Sequence, residues 1–380
     1  MRNLAIIAGG DLRSWGGGER YVVELSKRLT NNFKITVFSR KENKNLRISD
    51  DLLKKILPAK LIFFKEFYIP ISIDWLPLSF SGLKMIRGLN KFDTVYIMDH
   101  SIFTIGLVLF YLKMKKSHTR IIFGMHSPPH LSIQNYTAFK KLLFPFYKYF
   151  YKKIIFKIPN IHVLNSDDYS LLKREKYHGK LFLIPNFIYI KRDKIKINNK
   201  KFIILFVGRL SIYTKGLDLL SKISNQILAK NKKIKFHIIG SGDVTANHII
   251  TTLTQKYPKN FVYKGFVSEN VLMKEYKNAA IFILTSRSET YSLVTLEAQS
   301  YGLPVVSFCI NGPKNIIKNF SGSLVKPFDI NLFTQKILEY YDFWKEGNIN
   351  IKYKQKIANY VYKRYSDIII IPKIEKMLKN

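Results

Sequence analysis

Short apolar runs alternate along the chain with stretches in which apolar residues recur at helical spacing. A short apolar run bounded by polar or turn residues is typical of a buried strand, and the spacing that follows it is typical of an amphipathic helix. Strands that alternate with helices form parallel sheets covered by helices, so we predict an α/β fold. The predicted strands cover residues 3–8, 34–38, 94–98, 120–124, 160–164, 181–184, 202–207, 234–239, 261–264, 280–284 and 304–308.

The alternation stops in a polar, charged stretch without periodicity at residues 191–201. A chain of 380 residues is also longer than one hydrophobic core usually serves. We therefore predict an amino-terminal domain over residues 1–190, a linker over residues 191–201, and a second α/β domain over residues 202–360.

The chain is strongly basic, with 63 lysines and arginines against 26 acidic residues and a formal net charge of +37. Such a charge favours nucleic acid, anionic lipid or phosphorylated substrates as partners. Proteins that read bases depend on arginine, whereas here 50 lysines stand against 13 arginines. We expect no nucleic-acid partner, and we attribute most of the charge to overall composition and a smaller part to a membrane surface.

Cysteine content and the longest apolar runs bear on the compartment. Cys309 is the only cysteine, which excludes a disulfide framework and fits a reducing compartment. The first apolar run is too short for a secretory signal, and the run at residues 102–112 is shorter than the ~20 residues that cross a bilayer. We expect a cytoplasmic protein that does not span a membrane.

Residues 136–158 combine nine aromatic residues with six lysines and no acidic residue. Apolar rings beside lysines suit the boundary of an anionic membrane, because the lysine stems lie along apolar surface while the charges reach out. A long helix packed on its own domain, with its lysines in water, explains the composition equally well. Pro145 interrupts the helical pattern and leaves the two interpretations balanced.

A glycine-rich loop follows the first predicted strand, in the sequence AGGDLRSWGGGERYVVELSKRL. Glycines let backbone N–H groups approach a ligand, and the start of the helix, predicted near Glu19, adds partial positive charge. The loop matches neither G-x-x-x-x-G-K-[ST] nor G-x-G-x-x-G, which excludes those two phosphate-binding fingerprints. The pattern favours a phosphate or sugar site at Gly17 and Gly18 over a simple tight turn.

Arg209 and Lys215 flank the loop after the strand that begins the second domain, in LFVGRLSIYTKGLDLL. Two cations at the carboxyl end of a parallel strand can neutralise a diphosphate. The alternative is a pair of unrelated surface cations in a lysine-rich chain. Two weaker signals are the turns after the next strands, IIGSGD with Gly240 and YKGFVSEN with Gly265.

Glu289 and Glu297 lie in a predicted strand–loop–helix unit, IFILTSRSETYSLVTLEAQSYGLPVVSF. Glu289 falls in the loop and Glu297 in the first turns of the helix, while residues 292–294 offer free backbone N–H groups at its start. A carboxylate can accept hydrogen bonds from two vicinal hydroxyl groups, such as those of a ribose. Since the helix is otherwise largely apolar, the pair predicts sugar recognition rather than a solvated helix face.

Together these motifs resemble family 4 of the retaining glycosyltransferases. The resemblance covers nearly the whole chain: the glycine loop, GRL with KGLDLL, IIGSGD, KGFVS, and SRSETYSLVTLEAQSYGLPVV with its E-x7-E spacing. HVLNS and IPNFI are similar to strand ends before the family's hinge, and YSDIIIIPKIEKML is similar to its closing helix. The resemblance implies GT-B architecture: two facing Rossmann-like domains, a cleft between them, and a closing helix at residues 361–380 that crosses back onto the first domain.

The resemblance also implies roles for residues. Arg209 and Lys215 would hold the nucleotide diphosphate and stabilise its departure. Glu297 would bind the ribose, and Glu289 the transferred sugar near the reacting carbon. His126, in FGMHSPP, would face the donor sugar.

Gly17 and Gly18 would approach the diphosphate or the acceptor from the first domain. The predicted catalytic residues are thus Glu289, His126, Arg209 and Lys215, and the predicted binding residues are Gly17, Gly18, Arg209, Lys215, Gly240, Val267, Glu289, Ser292, Leu293, Val294 and Glu297.

The implied activity is transfer of a sugar from a UDP- or GDP-linked donor to a saccharide or lipid-linked acceptor in glycan biosynthesis, with retention of anomeric configuration. No further cofactor is expected, and the sequence lacks an Asp-x-Asp motif that would hold a metal ion. We expect the protein at the inner face of the cell membrane, as a peripheral protein on an anionic surface.

Three positions depart from the family pattern. Five residues separate Arg209 from Lys215 where four are commoner, Ser292 stands where glycine is frequent, and Asn315 stands where glutamate is common. One rival function is a nicotinamide-dependent oxidoreductase, which the absent dinucleotide fingerprint disfavours. Another is a basic membrane-surface or nucleic-acid-binding protein without catalysis, and this function leaves the glutamate pair unexplained. A glycosyl phosphorylase would need a lysine site for pyridoxal phosphate, and none can be assigned.

Overall fold

The computed structural model describes residues 1–42, 46–64, 85–98, 101–126, 138–189, 195 and 200–380. They form two compact units. The first comprises residues 1–185 and 370–380, and the second comprises residues 186–369. Each unit has a sheet of parallel strands with helices between them, so the α/β class is confirmed.

The described strands of the first unit follow the order β3-β2-β1-β4-β5-β6-β7. The strands are β1 Arg2–Ile7, β2 Phe33–Arg40, β3 Lys60–Phe64, β4 Thr94–Ile97, β5 Arg120–Met125, β6 Asn160–Val163 and β7 Lys180–Leu183. The helices are α1 Gly17–Leu29, α2 Asp50–Ile56, α3 Ile102–Met114, α4 Ala138–Ile155 and α5 Ser166–Arg174. The strand order reverses between β1 and β4, and the glycine loop follows β1 at this switch point, where open α/β sheets bind ligands.

The second unit repeats this topology, with strand order β10-β9-β8-β11-β12-β13. Its strands are β8 Ile203–Val207, β9 Lys235–Ile239, β10 Phe261–Tyr263, β11 Ile281–Leu284, β12 Val305–Phe308 and β13 Gly322–Val325. Its helices are α6 Ile212–Lys215, α7 Leu217–Lys230, α8 Val244–Lys256, α9 Glu269–Asn278, α10 Leu293–Ser300, α11 Pro313–Ile316, α12 Ile330–Lys345 and α13 Ile351–Tyr365. The switch point lies between β8 and β11.

Strand β8 shows why the central strands are apolar at every position. Ile204 and Phe206 lie in the core on one face of the sheet, whereas Leu205 and Val207 lie in the core on the other. Successive side chains of a strand point to opposite faces, so a strand covered by helices on both sides needs no polar positions. This is the pattern that predicted the strand.

Each of the eleven predicted strands is found, with bounds that differ by one or two residues. Two further strands, β3 and β13, were not predicted, and both lie at sheet edges. Helix α1 begins at Gly17 rather than near Glu19. Helix α4 runs through Pro145, so the prediction that this proline interrupts the helix is wrong.

The carboxyl-terminal segment contains two helices, since α13 ends at Tyr365 and α14 covers Asp367–Lys379. The end of α14 packs in the first unit, where Asn32 Nδ2 donates to Glu375 Oε1 at 2.7 Å and Thr94 Oγ1 donates to the carbonyl oxygen of Leu378 at 3.0 Å. Among the described residues, no helix is both long and apolar enough to cross a bilayer.

Candidate functional site

The two predicted donor-binding loops follow neighbouring strands at the switch point of the second unit. The loop that carries Arg209 and Lys215 follows β8, and the loop that carries Glu289 follows β11. The carboxyl ends of parallel neighbours lie at one edge of the sheet. This topology brings the predicted cations and the predicted carboxylate to one place.

Lys215 and Glu289 form an ion pair, with Nζ of Lys215 donating to Oε1 of Glu289. The same carboxylate oxygen accepts a hydrogen bond from Ser286 Oγ at 2.8 Å. The two charged side chains are 20% and 10% exposed, so neither is a solvated surface charge. The structure therefore joins a predicted phosphate ligand directly to the predicted sugar ligand.

A second ion pair fixes these loops together. Arg287 donates to both carboxylate oxygens of Asp218, at 2.8 and 2.6 Å, and to the carbonyl oxygen of Ile212 at 2.7 Å. Burial would raise the pKa of Asp218, but hydrogen bonds and charge from Arg287 outweigh it and lower that pKa. Sequence reasoning missed this pair, although Arg287 lies inside the motif SRSETYSLVTLE; nothing in the sequence marks Asp218 as its partner.

Close backbone packing explains the glycines at the strand ends. A Cβ at Gly240, where φ is +137°, would lie 1.7 Å from the carbonyl oxygen of Gly208, and Gly240 N donates to the carbonyl oxygen of Gly265 at 2.8 Å. Arg209, beside Gly208, is exposed. Glycine therefore lets the backbones of neighbouring strand ends pack closely beside the exposed Arg209 side chain.

Helix α10 begins next to Glu289 with an unusual conformation. Ser292, its N-cap, has a φ of +68°, which favours glycine. Ser292 Oγ instead pairs with Thr295 Oγ1 at 2.8 Å. The left-handed conformation of Ser292 is thus accompanied by a side-chain hydrogen bond, and Leu293 and Val294 form the first turn as predicted.

Glu297, in the second turn of α10, accepts a hydrogen bond on Oε2 from Tyr276 Oη at 3.1 Å. The Tyr276 ring stacks on Tyr301, with centroids 5.4 Å apart. Val267 packs against the same apolar face of the sheet. The Glu297 carboxylate is therefore held in place by a hydrogen bond on helix α10 and is not part of a solvated helix face.

In the first unit, Gly17 and Gly18 form the first turn of α1, and a Cβ at Gly18 would meet nothing within 4 Å. The preceding loop is held by a buried pair: Arg13 Nη2 donates to Asp11 Oδ2 at 2.6 Å. The hydrogen bonds that Arg13 donates to Asp11 raise the pKa of Arg13. Sequence reasoning missed this pair, which fixes the loop so that the turn of α1 stays uncovered.

His126 directly follows β5, and its ring lies 5.4 Å from the ring of Tyr21 on α1. Its Nε2 is 2.8 Å from Tyr96 Oη. Burial, and secondarily His162, hold the pKa of His126 well below its usual range, so the ring is neutral at pH 7. His126 and the glycine turn belong to the first unit, while the other predicted site residues belong to the second.

Asn315 lies in the short helix α11, close in sequence to Gly312, whose added Cβ would lie 3.1 Å from the carbonyl oxygen of Glu289. The adjoining Cys309 is exposed at the end of β12. Across the part of the chain that the structure describes, no group of three His, Cys, Asp or Glu side chains could hold a metal ion.

Two family models divide the chain between them. Glycosyltransferase Family 4 matches residues 15–192, and Glycosyl transferases group 1 matches residues 188–364. The chain belongs to glycosyltransferase family 4. The second match spans the residues predicted to bind the donor, from the loop after β8 to α10, and neither rival function is favoured.

Curated relatives of this family 4 chain include an uncharacterized glycosyltransferase of Methanocaldococcus jannaschii, 34% identical over 34% of this chain and 32% of the relative. The match thus spans about a third of that protein. The alpha-monoglucosyldiacylglycerol synthase of Acholeplasma laidlawii is 27% identical over 64% of this chain and 68% of its own.

Solved structures show the fold of the family 4 chain. Sucrose-phosphate synthase from Thermosynechococcus elongatus superposes with a TM-score of 0.76 at 18% identity, covering 100% of this chain and 98% of its own. HepE of Anabaena, solved with UDP and glucose, gives 0.73 at 15% identity and covers 100% of both chains. The predicted GT-B fold is confirmed.

Proposed function

We propose that the protein transfers a sugar, with retention, from a nucleotide-sugar donor to a saccharide or lipid-linked acceptor in glycan biosynthesis. The observation that carries the proposal is the Lys215–Glu289 pair beside Arg209 at the switch point of the second unit. A cation for a diphosphate and a carboxylate for sugar hydroxyls stand together there, in a chain that belongs to a sugar-transferring family.

The reaction breaks the bond between the anomeric carbon and the diphosphate oxygen, and the electron pair leaves with the diphosphate. The acceptor oxygen bonds to the same face of that carbon, and its proton passes to the departing phosphate oxygen. Arg209 and Lys215 stabilise the charge that builds on the diphosphate, aided by the N–H groups at the start of α10. A diphosphate at Lys215 competes with Glu289, which then accepts from a sugar hydroxyl.

Cation side chains perform the task that a metal ion performs in other transferases, so we propose a metal-independent reaction. The test is a calorimetric screen of UDP, GDP, ADP and CMP, followed by release of nucleoside diphosphate from UDP- and GDP-linked sugars with and without EDTA. UDP is favoured, since HepE was solved with it. Turnover that vanishes in EDTA and returns only with magnesium or manganese would refute metal independence.

Lys215→Ala tests the site itself. Loss of a charged hydrogen-bond donor costs roughly 1.5–3 kcal/mol, or about ten- to a hundredfold in turnover. Lys222→Ala removes an exposed lysine from helix α7 and is the matched control. If both variants lose turnover alike, or neither loses any, the assignment of Lys215 fails. The coupling constant of the anomeric proton in the product, compared with the donor, decides retention.

We further propose that helix α4 attaches the enzyme to an anionic membrane at the inner face of the cell membrane. Phe146, Tyr149 and Phe150 are 67%, 54% and 56% exposed. Lys148 is exposed beside them, and Lys153 Nζ lies 4.6 Å from the centroid of the Tyr149 ring. Exposed rings among lysines fit the headgroup boundary of an anionic bilayer.

The opposite face of α4 is packed, since Ile155 is buried and Gly106 of helix α3 faces Ile154. The helix therefore packs on its own unit and still exposes its rings. The relative named alpha-monoglucosyldiacylglycerol synthase supports a lipid-linked acceptor.

Sedimentation with liposomes tests this attachment. Changing Lys148, Lys152 and Lys153 to glutamate should abolish binding to anionic vesicles, because each lysine near such a surface contributes about 1 kcal/mol. The matched control changes the exposed Lys232, Lys233 and Lys259 to glutamate in the second unit and should still bind. If the unmodified protein stays in the supernatant with anionic vesicles at low salt, attachment is ruled out and a soluble acceptor is favoured over a membrane-borne one.

A further inference from the structure

A chain of hydrogen bonds crosses four adjacent strands of the first unit and ends at His126. Tyr96 lies in β4, His126 follows β5, His162 lies in β6, and Ile184 follows β7. Tyr96 Oη is 2.8 Å from His126 Nε2 and 2.7 Å from His162 Nδ1. His162 Nε2 is 2.7 Å from the carbonyl oxygen of Ile184. We call this chain the histidine relay.

The carbonyl oxygen of Ile184 fixes the direction of every bond in the histidine relay. A carbonyl only accepts, so His162 Nε2 carries a proton. Burial lowers the pKa of His162 to about 4, so its ring is neutral at pH 7 and Nδ1 is the acceptor. Tyr96 Oη must then donate its one proton to His162 Nδ1, and His126 Nε2 must donate to Tyr96 Oη.

His126 is thereby assigned one tautomer. Its proton sits on Nε2, and Nδ1 carries a lone pair, because the ring is neutral. In this state Nδ1 can only accept a hydrogen bond. A hydroxyl, the commonest donor on a sugar, is a suitable partner because it can donate a hydrogen bond to Nδ1. Nδ1 itself has no proton to donate to a phosphate or a carboxylate.

Gly124 makes the histidine relay sterically feasible. A Cβ at this position would lie 2.8 Å from Tyr96 Oη and 2.8 Å from His126 Cδ2. Glycine inside a strand weakens it and marks a place where another group approaches closely. The glycine in β5 therefore has a reason in the relay rather than in the fold of the strand.

We propose that Tyr96 and His162 are positioning residues that hold His126 as the Nε2–H tautomer, so that Nδ1 accepts a hydrogen bond from a sugar hydroxyl during transfer. The role in transfer rests on the proposed function, while the tautomer does not. Neither Tyr96 nor His162 touches the sugar; both act through His126.

The experiment is ¹⁵N NMR of histidine-labelled protein, in which long-range proton couplings report the tautomer and loss of a signal in His126→Gln assigns it. We expect the Nε2–H tautomer for His126 at pH 7. In Tyr96→Phe the relay is cut, and we expect a mixture of tautomers with kcat/KM about tenfold lower. His162→Leu should do the same, whereas His162→Gln, with a carbonyl to accept and an amide to donate, should restore the wild-type signal.

The matched control is Tyr177→Phe, which removes a buried hydroxyl that donates to the carbonyl oxygen of Ile158 at 2.6 Å. It should cost stability but leave the His126 signal and kcat/KM unchanged. The inference is overturned if His126 is Nδ1–H or charged in the unmodified protein. It is also overturned if Tyr96→Phe changes neither tautomer nor turnover, or shifts the tautomer while turnover stays unchanged.

The NMR result needs no substrate. If the unmodified protein turns over no nucleotide sugar, the proposed function fails. The tautomer of His126 still tests whether the hydrogen bonds of the histidine relay run in the direction described.

Discussion

At the scale of single residues, side chains predicted to bind different parts of the substrate pair with each other. Glu289 accepts from Lys215 and from Ser286, whereas Glu297 accepts from Tyr276 on a neighbouring helix. The first carboxylate therefore pairs with a cation that is predicted to bind the diphosphate, whereas the second accepts a hydrogen bond from a buried tyrosine. Their replacement should have different consequences.

We predict that Glu297→Ala weakens nucleotide binding about ten- to a hundredfold, because a charged acceptor for ribose hydroxyls is lost. Glu289→Ala should chiefly reduce kcat, and nucleotide binding should hold or tighten since Lys215 is released from its carboxylate partner. Calorimetry with the bound nucleotide and initial rates separate the two. Equal and negligible effects would favour a structural role for both carboxylates.

Lys354 offers a pH-dependent prediction. Its side chain is buried in α13, where Nζ donates to the carbonyl oxygen of Ala279 at 3.3 Å, and burial lowers its pKa to about 8. The unfolded chain, with a higher pKa, binds more protons between pH 8 and 10.5, so the stability of the wild type rises with pH across this window.

Lys354→Met should therefore be more stable than the wild type at pH 7, and its advantage should shrink by about 2–3 kcal/mol by pH 10. Denaturant unfolding at pH 7, 8.5 and 10 measures the difference. Lys352→Met removes an exposed lysine from the same helix and should show no such trend. A difference that stays constant with pH would mean that Lys354 titrates normally.

At the scale of elements, some helix ends can be predicted from the sequence and others cannot. Helices α10 and α12 end in Schellman turns with glycine in the left-handed position, at Gly302 and Gly347. Helices α3 and α5 end in the same turn with lysine there, at Lys116 and Lys176. A glycine marks such an end in the sequence; a lysine does not.

We predict that Lys116→Gly stabilises the protein by about 1 kcal/mol, because glycine adopts a φ of +45° without strain. Lys113→Gly, the same change inside α3, should instead destabilise it by about 1 kcal/mol. Thermal unfolding of the two variants gives the signs. Loss of stability in both would show that the left-handed turn costs lysine nothing.

Strands likewise divide into those that the sequence predicts and those that it does not. Central strands such as β8 are buried on both faces and were predicted from apolar runs alone. The edge strand β13, with sequence GSLV, begins with glycine and serine and leaves Leu324 37% exposed. It forms a strand because β12 offers it a pairing edge, which no local pattern reveals.

At the scale of the whole molecule, predictable site residues are those that follow a strand in sequence. His126 directly follows a strand, and Arg209 and Glu289 lie two and five residues after the ends of theirs. The partners of two of these residues come from distant parts of the chain: Lys215 lies 74 residues from Glu289, and Tyr96 lies 30 residues from His126. The sequence thus predicts which groups stand at the strand ends, and only the fold decides which groups meet.

The two units should respond separately to the two proposed partners. In hydrogen exchange, the nucleotide that binds should slow exchange over residues 208–216 and 286–297 and leave residues 138–155 unchanged. Anionic vesicles should do the reverse, since the exposed rings lie on α4. Protection of residues 138–155 by nucleotide alone would contradict this division of roles.

The exposed thiol at the end of β12 allows the protein to be labelled at a single position. Because Cys309 is the chain's only cysteine, a maleimide dye attaches at one place without mutagenesis. That place is three residues from Gly312, which packs against the backbone of Glu289. A fluorophore there would lie close to the proposed donor site, so the protein without any substitution could report the binding of nucleotide sugars by a change in fluorescence.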